Sequence, residues 1–226
     1  MISVLLAGAA ALALGLNLAR LARVNRTKAS TALAADEAGL RAVIPDVANV
    51  SDGTVGVVTF AGSWNGRRVQ VRTIVDTLAT RKLPARWLSV SITERVVVPG
   101  TCDMMMRPGS PTTFSNFDHL DHTLPKAAGF PAEAVLRTDR MGMRFPQAII
   151  AEHLDIFAEG RAKELLITPN GVRIVWLLAE AERARYGVFR QAEFGDVKLD
   201  PALIERLLSS ASALRDAINQ REGQAA

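Results

Sequence analysis

The sequence predicts an α+β protein: a single N-terminal transmembrane helix followed by one soluble domain with a mainly antiparallel sheet and a C-terminal amphipathic helix. Three observations lead to this fold class. The run from Ile2 to Ala19 holds no charged residue. Apolar and polar residues alternate along several segments between residues 54 and 98, as they do in half-buried antiparallel strands. Apolar residues at helical spacing follow Asp200-Pro201, a pair that suits the start of a helix.

The N-terminal run has the dimensions of a membrane span. Its 18 residues would rise about 27 Å as a helix, close to the ~30 Å hydrocarbon core of a bilayer. Basic residues follow the run but none precedes it, and basic flanks stay on the cytoplasmic side. We therefore predict a bacterial inner-membrane protein that crosses the membrane once, with its N-terminus outside and its soluble domain in the cytoplasm. A cleaved signal peptide is the alternative, but its basic N-terminal region is missing.

The flanking charges explain the basic composition of the chain, which has a formal net charge of +4. Four basic side chains and no acid lie within residues 1–28, which leaves 23 Lys and Arg residues against 23 Asp and Glu residues. Because no basic stripe with interleaved aromatic residues is present, we predict no nucleic-acid partner. We predict that the four basic residues contact the headgroups of membrane lipids. These residues are Arg20, Arg23, Arg26 and Lys28.

A stripe of small residues at every fourth position would let two such helices approach closely. We predict a protein partner or a homodimer through this stripe, although small residues are so abundant in the run that chance is the alternative. The stripe consists of Ser3, Ala7, Ala11, Gly15 and Ala19.

The chain is divided into a transmembrane anchor (1–24), a juxtamembrane connector (25–50) and a soluble α+β domain (51–226), whose size suits one hydrophobic core.

The first half of the soluble domain has the pattern of strands. Residues 54–62 are rich in β-forming residues, Asn65-Gly66 is a hairpin turn signal, and residues 67–78 and 86–98 alternate. Residues 100–130 contain several Pro and Gly residues and predict a long excursion with at most a short helix.

The second half predicts mixed structure. Residues 133–138 suit a strand, and Pro146 and Gly160 suit the first and last positions of one helix. Apolar segments on either side of Pro169-Asn170-Gly171 predict a central hairpin. A last amphipathic helix follows Asp200-Pro201.

Histidines and carboxylates form the densest polar cluster in the sequence. His119 and His122 stand three residues apart, which could bring both imidazoles onto one helical turn, and His153 is the remaining histidine. Together with Asp118 and Asp121 they have the composition of a zinc or iron site. The spacing matches no metal-binding motif, and a solvated loop whose Asp residues make local turns is the alternative.

Two further segments have both a functional and a structural interpretation. Trp64 and Arg67 could form an exposed binding loop at the tip of the first hairpin, but the favoured interpretation is that Asn65-Gly66 closes the hairpin and Trp64 packs back. The sulfur-rich segment Cys102–Met106 could hold copper(I), whereas methionine and free cysteine more often fill a core.

The functional prediction depends largely on absent motifs. The sequence holds no phosphate-binding glycine loop, nucleophile elbow or kinase signature, and we predict no cofactor. The leading interpretation is a non-catalytic, membrane-anchored domain that binds a protein or serves as an accessory subunit of a membrane complex. One alternative is a metal-dependent hydrolase that uses residues 118–122. Another is a domain that binds lipid or a small ligand at the wet face of the sheet or in a pocket beside it.

Overall fold

The alternating and apolar segments form nine β-strands. The computed structural model describes residues 33–77, 83–109, 111–142, 144–183 and 197–225, together with Arg20, Arg23, Thr31, Tyr186, Ala192, Phe194 and Gly195. Within these residues the strands are β1 (Ala48–Asn49), β2 (Val57–Trp64), β3 (Arg67–Asp76), β4 (Ala85–Ile92), β5 (Cys102–Met106), β6 (His122–Leu124), β7 (Ala134–Thr138), β8 (Ala162–Thr168) and β9 (Gly171–Glu180). They pair in one antiparallel sheet in the order β1-β2-β3-β4-β9-β8-β5-β7-β6.

Turn chemistry closes the two predicted hairpins. Asn65 (φ 49) and Gly66 (φ 75) occupy the left-handed region between β2 and β3, as a type I′ turn requires. In the turn between β8 and β9, Gly171 leaves no room for a side chain, because a Cβ there would lie 2.2 Å from the carbonyl oxygen of Ile92. Both hairpin predictions are confirmed by the strand register.

The C-terminal helix starts as its sequence indicates. The N–H of Ala202 donates to Oδ1 of Asp200 at 3.0 Å, and Pro201, which has no N–H to satisfy, is the first helical residue. The buried apolar side chains of this helix are at most 1% exposed and pack on β4 and β9. They are Ile204, Leu207, Leu208, Ala211, Leu214 and Ile218.

The described residues contain further, shorter helices. These are α1 (residues 33–41), α2 (Gln147–Ala151) and two 3₁₀ helices (Phe117–His119 and Asp155–Glu159); the C-terminal helix is α3 (Pro201–Ala225). The single helix predicted between Pro146 and Gly160 is therefore wrong. Leu154, with φ −96 and ψ 6, interrupts the α-helical ladder, yet Ile149, Ile150 and Phe157 still reach the core.

The long excursion predicted over residues 100–130 is also wrong in part. The structure places β5 between β8 and β7 in the sheet, and all five of its residues are buried. A strand that is covered on both faces lacks the apolar–polar alternation by which strands are found in a sequence.

The predicted fold class needs correction. In the described part of the chain, no helix combines the length and the apolar content that crossing a bilayer requires. The longest, α3, has an apolar stripe on one side only and carries charged residues such as Glu205 and Arg215, which a bilayer core disfavours. The described chain is mostly one large antiparallel sheet with a C-terminal helix, rather than a transmembrane helix followed by an α+β domain. The run that predicted the anchor, residues 2–19, lies outside the described residues.

Candidate binding site on the open sheet face

Polar side chains collect on the sheet face that α3 does not cover. The strand register and the two-residue period place five of them on this side: Arg72 of β3, Ser89 of β4, Arg173 of β9, Glu164 of β8 and Asp103 of β5. We name this side the open face. Its middle is covered by a small apolar cluster in which Phe114 and Phe117 pack on strand residues.

Two carboxylates meet under this aromatic cover. Asp103 is 1% exposed and Glu164 is 0% exposed. Burial, followed by the negative charge of Glu164, raises the pKa of Asp103 to about 9, although Arg173 opposes the change. At neutral pH Asp103 therefore keeps its proton. Oδ1 of Asp103 and Oε1 of Glu164 have no other hydrogen-bond partner. The O–H of Asp103 can donate to Glu164, which would satisfy both carboxyl groups.

The remaining carboxyl oxygens have fixed partners. Arg173 donates to Oε2 of Glu164 from Nε at 3.1 Å and from Nη2 at 2.8 Å, and Ser115 Oγ lies 3.5 Å from Oδ2 of Asp103. A general acid must reach its substrate within hydrogen-bond distance. Because both carboxyl groups are buried, neither faces a substrate in this structure.

A cleft opens at the end of the open face beyond Phe114. It encloses about 320 Å³, which lies within the range of small-molecule sites. Trp87, Ala85 and Leu177 supply apolar lining, and the Trp87 ring contacts Phe114 with 5.1 Å between ring centroids. The indole Nε1 of Trp87 is buried and has no hydrogen-bond partner. The lining of this part of the cleft is therefore apolar.

Three cationic side chains stand along one side of the cleft. Arg161 donates to the carbonyls of Leu177 at 3.0 Å and Leu178 at 2.6 Å. Lys163 donates to the carbonyls of Met106 and Arg107. Backbone carbonyls therefore orient these cations at the rim.

The third cation, Arg107, lies on a backbone of unusual conformation. Its φ is 44, a left-handed value that is uncommon for a residue other than glycine. Its side chain donates to Glu133 at 2.6 Å and to the carbonyl of Gly160 at 3.0 Å. Asp76 and Glu180 also line the cleft. The cleft thus holds three cations and two carboxylates beside its apolar lining. This composition favours a molecule that has an apolar body and an anionic group.

The structure does not bring the predicted metal ligands together. Asp118 and His119 lie in a 3₁₀ helix, His122 begins the edge strand β6, and His153 follows α2. Asp121 is an exposed residue between the first two elements. Among the described residues, which include all of these, no group of three or more His, Cys, Asp and Glu side chains could hold a metal ion.

The predicted binding loop is tied to the rest of the fold. Trp64 is 8% exposed and belongs to the main core. Arg67 pairs with Glu94 at 3.2 Å and with Asp216 of α3 at 2.7 Å. These contacts agree with the favoured interpretation, in which the turn only closes the hairpin.

The predicted membrane contacts are largely outside the described residues. The small-residue stripe Ser3, Ala7, Ala11, Gly15 and Ala19 lies there, as do Arg26 and Lys28. Arg20 and Arg23 are described as exposed. Lipid contact and helix packing stay predictions.

Cys102 is expected to resist thiol reagents while the protein is folded. It is 2% exposed, and burial, together with the charge of Asp103, raises its pKa to about 12, so the reactive thiolate is nearly absent at neutral pH. Titration with a disulfide reagent should show no reaction at pH 8 and one thiol per chain in guanidinium chloride. Rapid labelling of the folded chain would contradict this burial.

Sequence reasoning missed the buried polar residues of the open face. Asp103 lies between Cys102 and Met104, and Glu164 precedes two leucines. A single charge inside an apolar segment was the available signal, because such a charge is buried only when it has a partner. The sequence alone does not say which partner it meets.

No protein-family model and no curated protein matches this chain. A solved structure, the crystal structure of the mycobacterial trehalose monomycolate transport factor A, TtfA, is similar with 12% sequence identity and a TM-score of 0.39. The match covers 75% of this chain and 78% of that chain. A likeness at this TM-score supports no conclusion about function.

Proposed function

We propose that this chain is a non-catalytic accessory protein that binds a small amphiphilic molecule with an anionic group. The observation that carries the proposal is the cleft of about 320 Å³ with its apolar lining and its row of Arg107, Arg161 and Lys163. An apolar lining with a few placed polar groups is the usual composition of a small-molecule site. The seclusion of Asp103 and Glu164 supports a binding role over acid–base catalysis.

Dodecanoate and dodecyltrimethylammonium test the proposal because they share an apolar chain and differ in charge. In calorimetric titration of the full chain, we expect dodecanoate to bind at least about tenfold more tightly than the cation. Leu177→Trp should abolish binding because the larger ring fills the cleft. Leu120→Trp is the matched control, since Leu120 is a partly exposed leucine outside the cleft.

Two outcomes would exclude the cleft as the site. Equal affinity for the two amphiphiles would mean that the cations do not select the ligand. Unchanged affinity in Leu177→Trp, with Leu120→Trp as wild type, would place the ligand elsewhere.

The accessory role rests on the sequence. A protein partner and a location at the bacterial inner membrane stay predictions. Cross-linking in cells, followed by purification of the full chain in mild detergent and mass spectrometry, tests both. Recovery of the uncrosslinked chain alone, or its recovery in the soluble fraction, would remove their support.

A further inference from the structure

We propose that Arg72 and Arg173 form a second binding site on the open face, which accepts a singly charged phosphodiester group. This site is separate from the cleft, because the cluster around Phe114, Ile74 and Val175 lies between them along the strands. It therefore does not depend on the proposed function of the cleft.

The register brings both arginines over a floor of small residues. Arg72 pairs with Ser89 across β3 and β4, and Ser91 pairs with Arg173 across β4 and β9. The two arginines thus flank β4 at the level of Ser89 and Ser91, its two serines on this face. Serine side chains are short, and Ser91 is partly exposed whereas Ser89 is buried. Gln70 pairs with Ser91 and adds an amide beside the same floor.

The two cations are not equally neutralised. Arg173 is paired with Glu164, whereas Arg72 forms no hydrogen bond or ion pair with any residue that the structure describes. Burial, followed by the positive charge of Arg173, lowers the pKa of Arg72, with Asp52 acting in the opposite direction. Like charges held close together destabilise a protein unless an anion joins them.

The net charge of the site determines which ligand charge it favours. Asp103 is protonated at neutral pH, so Arg72, Arg173 and Glu164 together carry one net positive charge. Asp52 also acts on Arg72, but it is exposed to solvent, which screens its charge. A phosphodiester carries one negative charge and would neutralise the site. Guanidinium groups bind phosphate oxygens in forked pairs.

An unused donor lies between the two arginines. Ser89 is 1% exposed, and its Oγ has no hydrogen-bond partner. An anion held by the guanidinium groups would receive a third hydrogen bond from this hydroxyl. The two guanidinium groups would donate from the sides and the Ser89 hydroxyl from below. This arrangement suits a tetrahedral phosphate better than a planar carboxylate, because one guanidinium group already satisfies both oxygens of a carboxylate.

The adjoining groove limits the size of the group. It encloses about 150 Å³ and is lined in part by Ser91, Leu166, Thr168 and Arg173. Sites for whole drug-sized ligands are larger, about 300–1,000 Å³. The groove therefore suits a headgroup, whether from a lipid or from a soluble diester.

Phosphorus NMR titration of the full chain tests the site. The probes are glycerophosphoglycerol, which is a soluble diester, and dihexanoyl phosphatidylglycerol below its micelle concentration. We expect both to bind. Arg72→Gln should weaken both by about tenfold, because it removes a charge-assisted hydrogen bond. Arg68→Gln, which removes an exposed charge from the same strand and face, should change the affinity by less than about twofold.

The outcomes separate the possible sources of binding. Binding of both probes, with loss in Arg72→Gln alone, supports the site. Binding of the lipid alone would mean that the acyl chains are recognised and would overturn it, as would equal loss in Arg68→Gln or binding of neither probe.

Thermal unfolding checks that Arg72→Gln is folded. The double variant Arg173→Gln/Glu164→Gln, which removes both members of this ion pair together, should also lose binding. Leu177→Trp, which blocks the cleft, should leave binding of the soluble diester unchanged.

Discussion

Replacing Arg86 by methionine is expected to lower the free energy of unfolding by about 3–5 kcal/mol. Arg86 donates to Oδ2 of Asp36 at 2.5 Å and to the carbonyl of Val197 at 2.8 Å. Only 15% of the Arg86 side chain and 7% of the Asp36 side chain are exposed. Methionine fills much of the same space but leaves the carboxylate buried without its counter-charge. Guanidinium denaturation at pH 7 measures the loss.

The pH dependence identifies the cause of this loss. Burial raises the pKa of Asp36, and Arg86 opposes the change, so the variant should raise that pKa further. Unfolded Asp36 titrates near 3.8. In the folded wild type this pKa lies higher. Below that raised value both folded proteins hold the proton and the charge-related deficit should vanish, whereas the deficit should grow as the pH rises through it.

Two variants serve as controls for this prediction. Arg86→Met/Asp36→Asn should recover most of the stability, because no buried charge remains. Arg41→Met removes an ion pair of the same helix, with Glu37 at 2.6 Å, but the Arg41 side chain is 54% exposed; its expected cost is below about 1 kcal/mol. A deficit in Arg86→Met that is the same at pH 4 and pH 7 would mean that lost packing, not the buried charge, is responsible.

Local chemistry made part of the fold predictable. Asn65-Gly66 and Asp200-Pro201 each determine a turn or a helix start within a few residues, through backbone conformation and capping. Their outcomes do not depend on distant parts of the chain. The helix predicted from Pro146 to Gly160 ends at Ala151, and the burial of Leu154 beyond it shows that tertiary packing competes with local preference there.

Long-range pairing explains what the sequence could not show. Asp36 and Arg86 are 50 residues apart, and Asp103 meets Glu164 only because β5 lies beside β8. The position of β5 was itself hidden, since all five of its residues are buried. The histidines show the converse: a composition suited to a metal does not bring ligands together when the fold places them on separate elements.

Replacing Asp103 by asparagine is expected to remove most of the pH dependence of stability in neutral and alkaline solution. The folded carboxyl has a pKa of about 9, raised from 3.8 by burial and by Glu164. Between these values the folded state binds a proton that the unfolded state has released. Wild-type stability should therefore fall as the pH rises through this window, by at most about 1.4 kcal/mol per pH unit.

Asparagine reproduces the protonated form of Asp103 at every pH, because its amide offers Glu164 a donor in place of the acid O–H. Asp103→Asn should thus unfold at a higher temperature than wild type at pH 8.5, and the difference should be much smaller at pH 5. Glu164→Gln is the contrasting variant: it leaves Arg173 without its carboxylate and should be destabilising at both pH values. If Asp103→Asn kept the wild-type slope, the proton taken up on folding would belong to another group. The charge balance inferred for the Arg72–Arg173 site would then change from one net positive charge to none, and the site would lose its selectivity for a single negative charge.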